Sequence, residues 1–197
     1  MPKPKRATAR TAQPTVATRD RILNAAIWRF ANHSYEETGL RHIAADASVD
    51  VAYVHRLFGS KEELFVEALL ATTQPDRIVA ESATDPATTL ARELFRRDDS
   101  DEVRPLDIAV RSFTSSKASG VMREFVLRHF IGPLAQQFGP STDRQAALAI
   151  AFMTGVAILR NVLHVDCLLE TSDGQLERRI ADALAYIIAP RSDDETA

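Results

Sequence analysis

Between residues 18 and 66 the apolar positions recur at the three- and four-residue spacing of short amphipathic helices. The positions that mark the buried faces of a first and a second helix are Ile22, Ala26, Phe30, Leu40, Ile43, Ala44 and Ala47. The run 48–50 follows as a turn, and its Asp50 is a suitable N-cap for a third helix from Val51 to Leu57. Ser60, with Glu63 three residues later, predicts a capping box that opens a fourth helix. Three short helices with a tight turn before the third predict a helix-turn-helix module, in which that third helix enters the major groove of DNA.

The remaining two thirds of the chain also show helical periodicity, so we predict an all-α fold. The fourth helix is expected to run from Lys61 to about Thr73 and to stop before Pro75. Later helices are expected to begin at Pro86, at Pro105, near Ser119, at Ser141 or Thr142, and after Gly174. The helix from Ser119 is expected to kink near Gly132–Pro133, and the next, the longest, to continue to about Leu169.

Over residues 18 to 66 the chain resembles the TetR family of one-component transcriptional regulators. The residues that carry the resemblance are Ile22 through Phe30, Tyr35–Thr38, Arg41, Ile43–Ala44, Ala47, Val49 and Phe58–Glu62. The resemblance implies an N-terminal three-helix helix-turn-helix DNA-binding domain and a C-terminal helical ligand-binding and dimerisation domain. Three positions depart from the family pattern. Ser48 replaces a turn glycine, Gly39 stands where a second threonine often caps the second helix, and His55 replaces a frequent tyrosine.

Helical phase turns a set of polar side chains toward one edge of the predicted module. Arg41 and Lys61 are expected to contact phosphates, whereas Arg56 or Tyr53 is the expected reader of bases. Ala52 is small enough to let the backbone approach DNA closely. The residues predicted to contact DNA are Thr38, Arg41, Val51, Ala52, Tyr53, His55, Arg56 and Lys61.

Charge is distributed unevenly along the 197 residues. The formal net charge is −3, but residues 1–65 carry a net charge of +3 and the remainder carries −6. A basic end on an acidic body is typical of a DNA reader joined to a domain that does not bind DNA. We therefore predict a basic arm at 1–17, a DNA-binding domain at 18–65, a ligand-binding and dimerisation domain at 66–190 and an acidic tail at 191–197. Both termini are expected to be disordered, and the arm has an alternative role in extra DNA contacts.

The last two long helices are apolar around much of their circumference, which requires partners on more than one side. We therefore expect them to pair with their copies in a homodimer, although an intramolecular core remains the alternative. The predicted interface residues are Ala147, Ala151, Thr154, Gly155, Ile158, Val162, Leu176, Ile180 and Leu184.

Aromatic residues and methionines concentrate in the middle helices, where they are expected to form either ordinary core or the lining of a ligand cavity. The candidate lining residues are Phe95, Phe113, Met122, Phe125, His129, Phe152 and Met153. The resemblance favours the cavity and implies a small-molecule effector that releases DNA, without indicating which molecule.

Sequence motifs for catalysis are lacking. No histidine pair stands at metal-ligand spacing, and there is neither a glycine-rich phosphate loop nor a nucleophile elbow, so we expect no enzymatic activity, no metal and no cofactor. A helical enzyme and a helical adaptor remain as alternatives. With no run of eighteen apolar residues and no secretory signal, we expect a cytoplasmic protein that does not enter the membrane. The lone Cys167 fits a reducing compartment and is expected to be a small buried residue.

Overall fold

The computed structural model describes residues 16–96, 103–139, 142–169 and 174–189. Within these ranges the chain is helical, with no strand. The twelve α-helices are α1 (Val16–Asn32), α2 (Leu40–Asp46), α3 (Val51–Phe58), α4 (Lys61–Thr73), α5 (Pro75–Glu81), α6 (Pro86–Glu93), α7 (Pro105–Ser112), α8 (Ser116–Val126), α9 (Gly132–Phe138), α10 (Asp143–Ala157), α11 (Asp166–Leu169) and α12 (Gln175–Ile188). The expected all-α fold is confirmed.

Helices α1, α2 and α3 pack around a core of fully buried apolar side chains. Phe30, Tyr35 and Phe65 form its aromatic centre, and the Phe65 ring stands edge-on to the other two with centroids 4.9 and 5.1 Å away. Such edge-to-face pairs add to the stability that burial alone provides. Tyr35, which follows α1 and is 1% exposed, therefore closes this core.

The turn between α2 and α3 has the geometry that the helix-turn-helix pattern requires. Ser48 adopts φ 53°, the left-handed conformation that glycine reaches without steric cost. Asp50 then caps α3, since one of its carboxylate oxygens accepts a hydrogen bond of 2.7 Å from the backbone N–H of Ala52. At the start of α4, Ser60 and Glu63 form the predicted capping box.

Helix α4 joins these three helices to the rest of the protein, packing on α1 and on α7 and α8. It ends at Gln74, which has φ 48°, and Pro75 immediately opens α5. Helix α5 was not predicted. A proline at the first helical position is compatible with helix, because its missing N–H would have had no partner there.

Two expected long helices are interrupted. The segment Leu127–Ile131 between α8 and α9 is a π-helical turn, so the irregularity precedes Gly132–Pro133 rather than lying at it. A second π-helical turn, Ile158–Val162, extends α10, and the chain then turns at His164, which has φ 51°. The predicted continuous helix to Leu169 is therefore wrong: it ends at Val162, and α11 is a separate short helix. Cys167 on α11 is exposed, not buried as expected.

The C-terminal helices form a second packed layer. Helix α12 lies along α6 and against α10, while α10 also packs on α9. Both the basic arm and the acidic tail predicted from the sequence lie outside the described residues, apart from the first turn of α1.

Candidate nucleic-acid interface and neighbouring cavity

Helix α3 presents an exposed face next to the exposed face of α2. Val54 and Phe58 are buried beneath α3, whereas Ala52, His55 and Arg56 are exposed. In an α-helix, residues on opposite faces alternate with a period of 3.6 residues. Burying Val54 and Phe58 on one face therefore leaves Ala52, His55 and Arg56 exposed. Val51 and Tyr53 are only partly buried and flank the face, and Arg41 on α2 is exposed. The structure thus leaves Arg41 exposed on α2, and it leaves Val51, Ala52, Tyr53, His55 and Arg56 at least partly exposed on α3.

Two of the predicted DNA-binding residues are placed differently. Thr38 is 1% exposed, and its hydroxyl donates a hydrogen bond of 3.1 Å to the carbonyl oxygen of Ser34. Its side chain closes the loop before α2 and does not face the DNA side. Lys61 is partly buried, with its ammonium donating to the carbonyl oxygen of Tyr35 and lying 4.0 Å from the centroid of the Tyr35 ring. Burial lowers the pKa of Lys61, against the opposing effect of Glu36 and Glu62. A phosphate contact by Lys61 would have to share this ammonium.

His55 is turned toward the end of its own helix. Its Nδ1 lies 3.0 Å from the carbonyl oxygen of Gly59, which can only accept, so Nδ1 carries the hydrogen in this contact. In the neutral ring Nε2 is then an acceptor. A phosphate oxygen is an acceptor too, so the neutral ring of His55 cannot donate to it from Nε2 while this contact is kept.

An ion pair fixes α2 against α1. Arg29 donates two hydrogen bonds to the carboxylate of Asp46, one of them from Nη2 at 2.9 Å. This hydrogen bonding lowers the pKa of Asp46 and raises that of Arg29. His42 stands one helical turn before Asp46 on α2, yet the hydrogen-bonding partner of Asp46 is Arg29 on α1. The partner on another helix was not visible in the pattern.

The corner between α7 and α8 is hydrogen-bonded to the N-terminal helices. Arg111 donates from Nε to the carbonyl oxygen of Ala31 at 2.9 Å, and Ser115 donates from Oγ to Oε1 of Glu36 at 2.6 Å. Phe113 lies between these two residues in sequence. Sequence reasoning missed both contacts, since 80 and 79 residues separate the partners.

A cavity of about 700 Å³ opens beside Phe113. Five of the seven predicted lining residues do line it, namely Phe95, Phe113, Met122, Phe125 and Met153. Phe113 itself is 50% exposed, which places it at the rim. The ring of His129 lies 4.9 Å from that of Phe125 at a tilt of 38° and faces a separate groove between α4 and α8, and Phe152 packs against the main core. Those two residues are corrections to the predicted lining.

Polar groups gather at one end of the cavity. Arg104 forms an ion pair of 3.2 Å with Asp107 and donates from Nη1 to the carbonyl oxygen of Asn161 at 2.8 Å. The guanidinium of Arg160 lies 4.8 Å from the centroid of the Phe95 ring. An apolar wall with a few fixed polar groups at one end is typical of a ligand pocket. The neighbouring π-helical turn, which supplies Arg160 and Asn161, is a feature often found at functional sites.

Helix α10 leaves an apolar stripe uncovered. Leu148, Ala151, Gly155 and Leu159 are exposed at three- and four-residue spacing, and Leu148 is 53% exposed. Asp143–Val162 is long and apolar enough to cross a membrane by composition, the one such helix in the described ranges, yet only 17% of its apolar window is buried. Exposed apolar surface of this kind is typical of a face that contacts a partner.

The residues of the predicted dimer interface differ in how far the protomer buries them. Ala151 and Gly155 lie on this stripe, while Ala147, Ile158, Val162 and Leu176 are partly buried. Thr154 lines the cavity instead, and Ile180 and Leu184 are buried inside the protomer, where α12 packs on α6 and α10. Ile180 and Leu184 are therefore not available at a surface, whereas Thr154 is partly exposed in the cavity. The exposed Leu148, Leu159 and, on α12, Tyr186 were missed, because periodicity alone does not tell which face of an apolar helix the protomer covers.

No group of three or more His, Cys, Asp or Glu side chains is arranged to hold a metal ion among the residues that the structure describes. The candidate site has three parts: the exposed α2–α3 surface, the cavity, and the hydrogen bonds by which Arg111 and Ser115 join the α7–α8 corner to the N-terminal helices.

Two family models match the chain. One, described as bacterial regulatory proteins of the tetR family, matches residues 22–68, and the other, described as a tetracyclin repressor-like C-terminal domain, matches residues 85–188. No curated protein is similar enough to count as a match.

Similar solved structures share the fold. A TetR-family regulator from Streptomyces coelicolor is 24% identical, with a TM-score of 0.58, and the match covers 91% of this chain and 99% of that one. Salmonella enterica GusR is 17% identical with a TM-score of 0.67, covering 91% and 99% respectively. The multidrug binding protein EbrR, complexed with ethidium, is 21% identical with a TM-score of 0.59, covering 88% and 99%.

Proposed function

The chain belongs to the TetR family, whose members are DNA-binding regulators of transcription and not enzymes, and from this we propose that it is a homodimeric repressor released from DNA by a small effector. The observation that supports DNA reading most directly is the α3 surface. Helix α3 buries Val54 and Phe58 and leaves Ala52, His55 and Arg56 exposed beside Arg41. A short helix held from behind, with polar side chains on its free face, is the arrangement that enters a major groove.

The proposed division is a DNA-binding domain at 18–65 and an effector and dimerisation domain at 66–190. Arg41 would contact phosphate and Arg56 the base edges, with Ala52 allowing close approach. Lys61 would add a phosphate contact only by sharing its ammonium with Tyr35. As a cytoplasmic regulator, the protein would have a double-stranded operator as its main partner.

A second copy of the chain would cover the stripe on α10. The stripe combines large apolar residues with Ala151 and Gly155, and a Cβ added at Gly155 would meet no atom within 4 Å in the protomer. Small residues at the centre of such a stripe let two helices approach closely. Two α3 helices related by a twofold axis then require an operator with inverted half-sites.

The effector would occupy the cavity beside Phe113. Its lining supports a small, largely apolar molecule with one polar group for the Arg104–Asn161 end. Near the rim, Arg111 connects to the end of α1 and Ser115 to the loop between α1 and α2. A ligand that displaces this corner would reposition the α3 helices of the dimer, provided that it binds the displaced arrangement better.

Fluorescence anisotropy with a labelled duplex, measured over a range of salt concentrations, tests the DNA-binding proposal. A DNA reader loses affinity linearly on a logarithmic salt scale, and removing one phosphate contact reduces the slope by about one unit. Arg41→Ala should therefore lower the slope by about one unit per protomer. Arg123→Ala on α8 is the matched control, because it removes an exposed positive charge far along the chain from α2 and α3. A salt-independent signal, or equal slopes for the wild type and Arg41→Ala, would contradict the proposal.

A further inference from the structure

The arginine on the free face of α3 is already held in place before any DNA is bound. The guanidinium carbon of Arg56 lies 4.4 Å from the centroid of the Tyr53 ring, three residues earlier on the same helix. This is a cation–π contact, in which the positive group lies over the negative face of the ring. We propose that Tyr53 is a positioning residue that holds Arg56 for reading one guanine in each operator half-site. This proposal rests on α3 being the helix that enters the groove.

Tyr53 is suited to fixing a neighbour because it is fixed itself. Its ring is partly buried and packs against the apolar core under α3. A free arginine on a helix surface loses much rotamer entropy when it forms a defined contact. The stack removes part of this cost in advance, and it restricts the plane of the guanidinium.

Neighbouring groups leave the hydrogen-bonding edge of Arg56 available. Within the described ranges no carboxylate forms an ion pair with Arg56. The nearest acid along α3 is Asp50, and one of its oxygens is already the N-cap acceptor for Ala52. His55 is turned to Gly59 at the end of the helix. The contact with the Tyr53 ring occupies one side of the guanidinium, and its remaining N–H groups can still donate.

The chemistry of that edge selects the base. A guanidinium can donate two hydrogen bonds side by side, and in the major groove guanine is the base that offers two adjacent acceptors, O6 and N7. Lysine cannot replace this planar fork. Ala52, one turn before Arg56, provides no bulk that would keep the helix away from the base edges.

The test uses the full-length protein and an operator selected from random DNA, in which each guanine is replaced in turn by 7-deazaguanine, which lacks N7. For the wild type, one guanine in each half-site should cost about ten-fold in affinity when it is replaced. Arg56→Ala should lose this discrimination, and Arg56→Lys, whose ammonium lacks the planar fork, should reduce it. Tyr53→Leu should reduce it about two- to five-fold, whereas Tyr53→Phe, which keeps the ring, should retain it.

Tyr53→Met provides a second replacement without a ring if Tyr53→Leu does not fold, and melting curves establish that each variant is folded. If Arg56→Ala weakens all duplexes equally, Arg56 contacts phosphate, and the proposal fails although DNA binding stands. If Tyr53→Leu and Tyr53→Met keep full discrimination, the positioning role of Tyr53 is refuted. If the wild type itself shows no sequence preference, the proposed regulatory function fails instead.

Discussion

Ser115, the N-cap of α8, donates a hydrogen bond of 2.6 Å from its Oγ to Oε1 of Glu36 in the loop between α1 and α2. Ser115 is buried whereas Glu36 is exposed, so the contact lies at the edge of the buried region. It joins the helices that bear α3 to the corner of the cavity. Together with the bond from Arg111 to Ala31, it provides a short physical path between the two proposed sites.

A double-mutant cycle of Ser115→Ala and Glu36→Ala should reveal this contact as a coupling of about 1 kcal/mol in the free energy of unfolding. The cycle is needed because Ser115→Ala also removes the cap that accepts from the N–H of Ala118. That loss costs about 1 kcal/mol by itself and cancels in the cycle. Urea denaturation of the four proteins supplies the measurement. Additive effects of the two substitutions would show that the contact does not stabilise the protein.

The contribution of the Arg29–Asp46 pair to the free energy of unfolding should depend on pH. The folded-state pKa of Asp46 is lowered, chiefly by the hydrogen bonds from Arg29, so the pair stabilises the protein fully above the unfolded-state value of about 4. This stabilisation is lost as pH falls through the lowered folded-state value. Asp46→Asn should therefore cost about 1 kcal/mol at pH 7 and progressively less below about pH 4.

Unfolding free energies at pH 7 and at several values below 4 test this dependence. Asp20→Asn is the control, because it removes a carboxylate from α1 without removing the Arg29 contact. A difference between wild type and Asp46→Asn that stays constant with pH would exclude the ion pair as its source.

Gly155→Leu should dissociate the proposed dimer without unfolding the protomer. The substitution meets open space within the protomer and replaces glycine with a better helix former, so local stability should not fall. On the uncovered stripe, however, the added side chain would prevent close helix approach. Gly120→Leu on α8 is a matched control, since a Cβ there also meets nothing within 4 Å. Sedimentation should give a monomer for Gly155→Leu and a dimer for Gly120→Leu. A dimer for both would place the interface elsewhere.

Filling the cavity should imitate the effector. Ala157 lines the cavity from α10, and Ala157→Phe would occupy part of its volume while adding van der Waals contacts. Operator affinity should fall several-fold, whereas the melting temperature should be unchanged or higher. Ala71→Phe at an exposed position of α4 serves as the control. Equal operator affinity for both variants and the wild type would contradict a role of the cavity in controlling DNA binding.

The sequence predicted the local structure of the reader well because that part of the fold is encoded locally. The cap at Asp50, the capping box at Ser60 and the left-handed turn at Ser48 each follow from residues within a few positions of one another. The break at His164 was missed, since the apolar pattern continues through it. Only the packing of the protomer shows that Ile180 and Leu184 face inward.

The candidate sites were also predictable to different degrees, depending on whether their features are encoded locally or arise from the packing of distant segments. Helical phase identified Arg56 and Ala52 as exposed. It did not indicate the direction of the Lys61 ammonium, which donates a hydrogen bond to the carbonyl oxygen of Tyr35. The cavity lining was mostly predicted from composition, because aromatics and methionines were concentrated there. The contacts of Arg111 and Ser115 connect distant parts of the chain and leave no periodic signal.

Selection of DNA fragments from a random pool by the full-length protein, followed by sequencing, tests the central claim most directly. A dimer that places one α3 helix in each of two successive major grooves should enrich inverted half-sites about 34–36 Å apart, or a multiple of this spacing, with a guanine at the same position in each half. Enrichment of a single unrepeated motif would contradict the dimeric reader, and no enrichment over the starting pool would contradict sequence-specific regulation altogether.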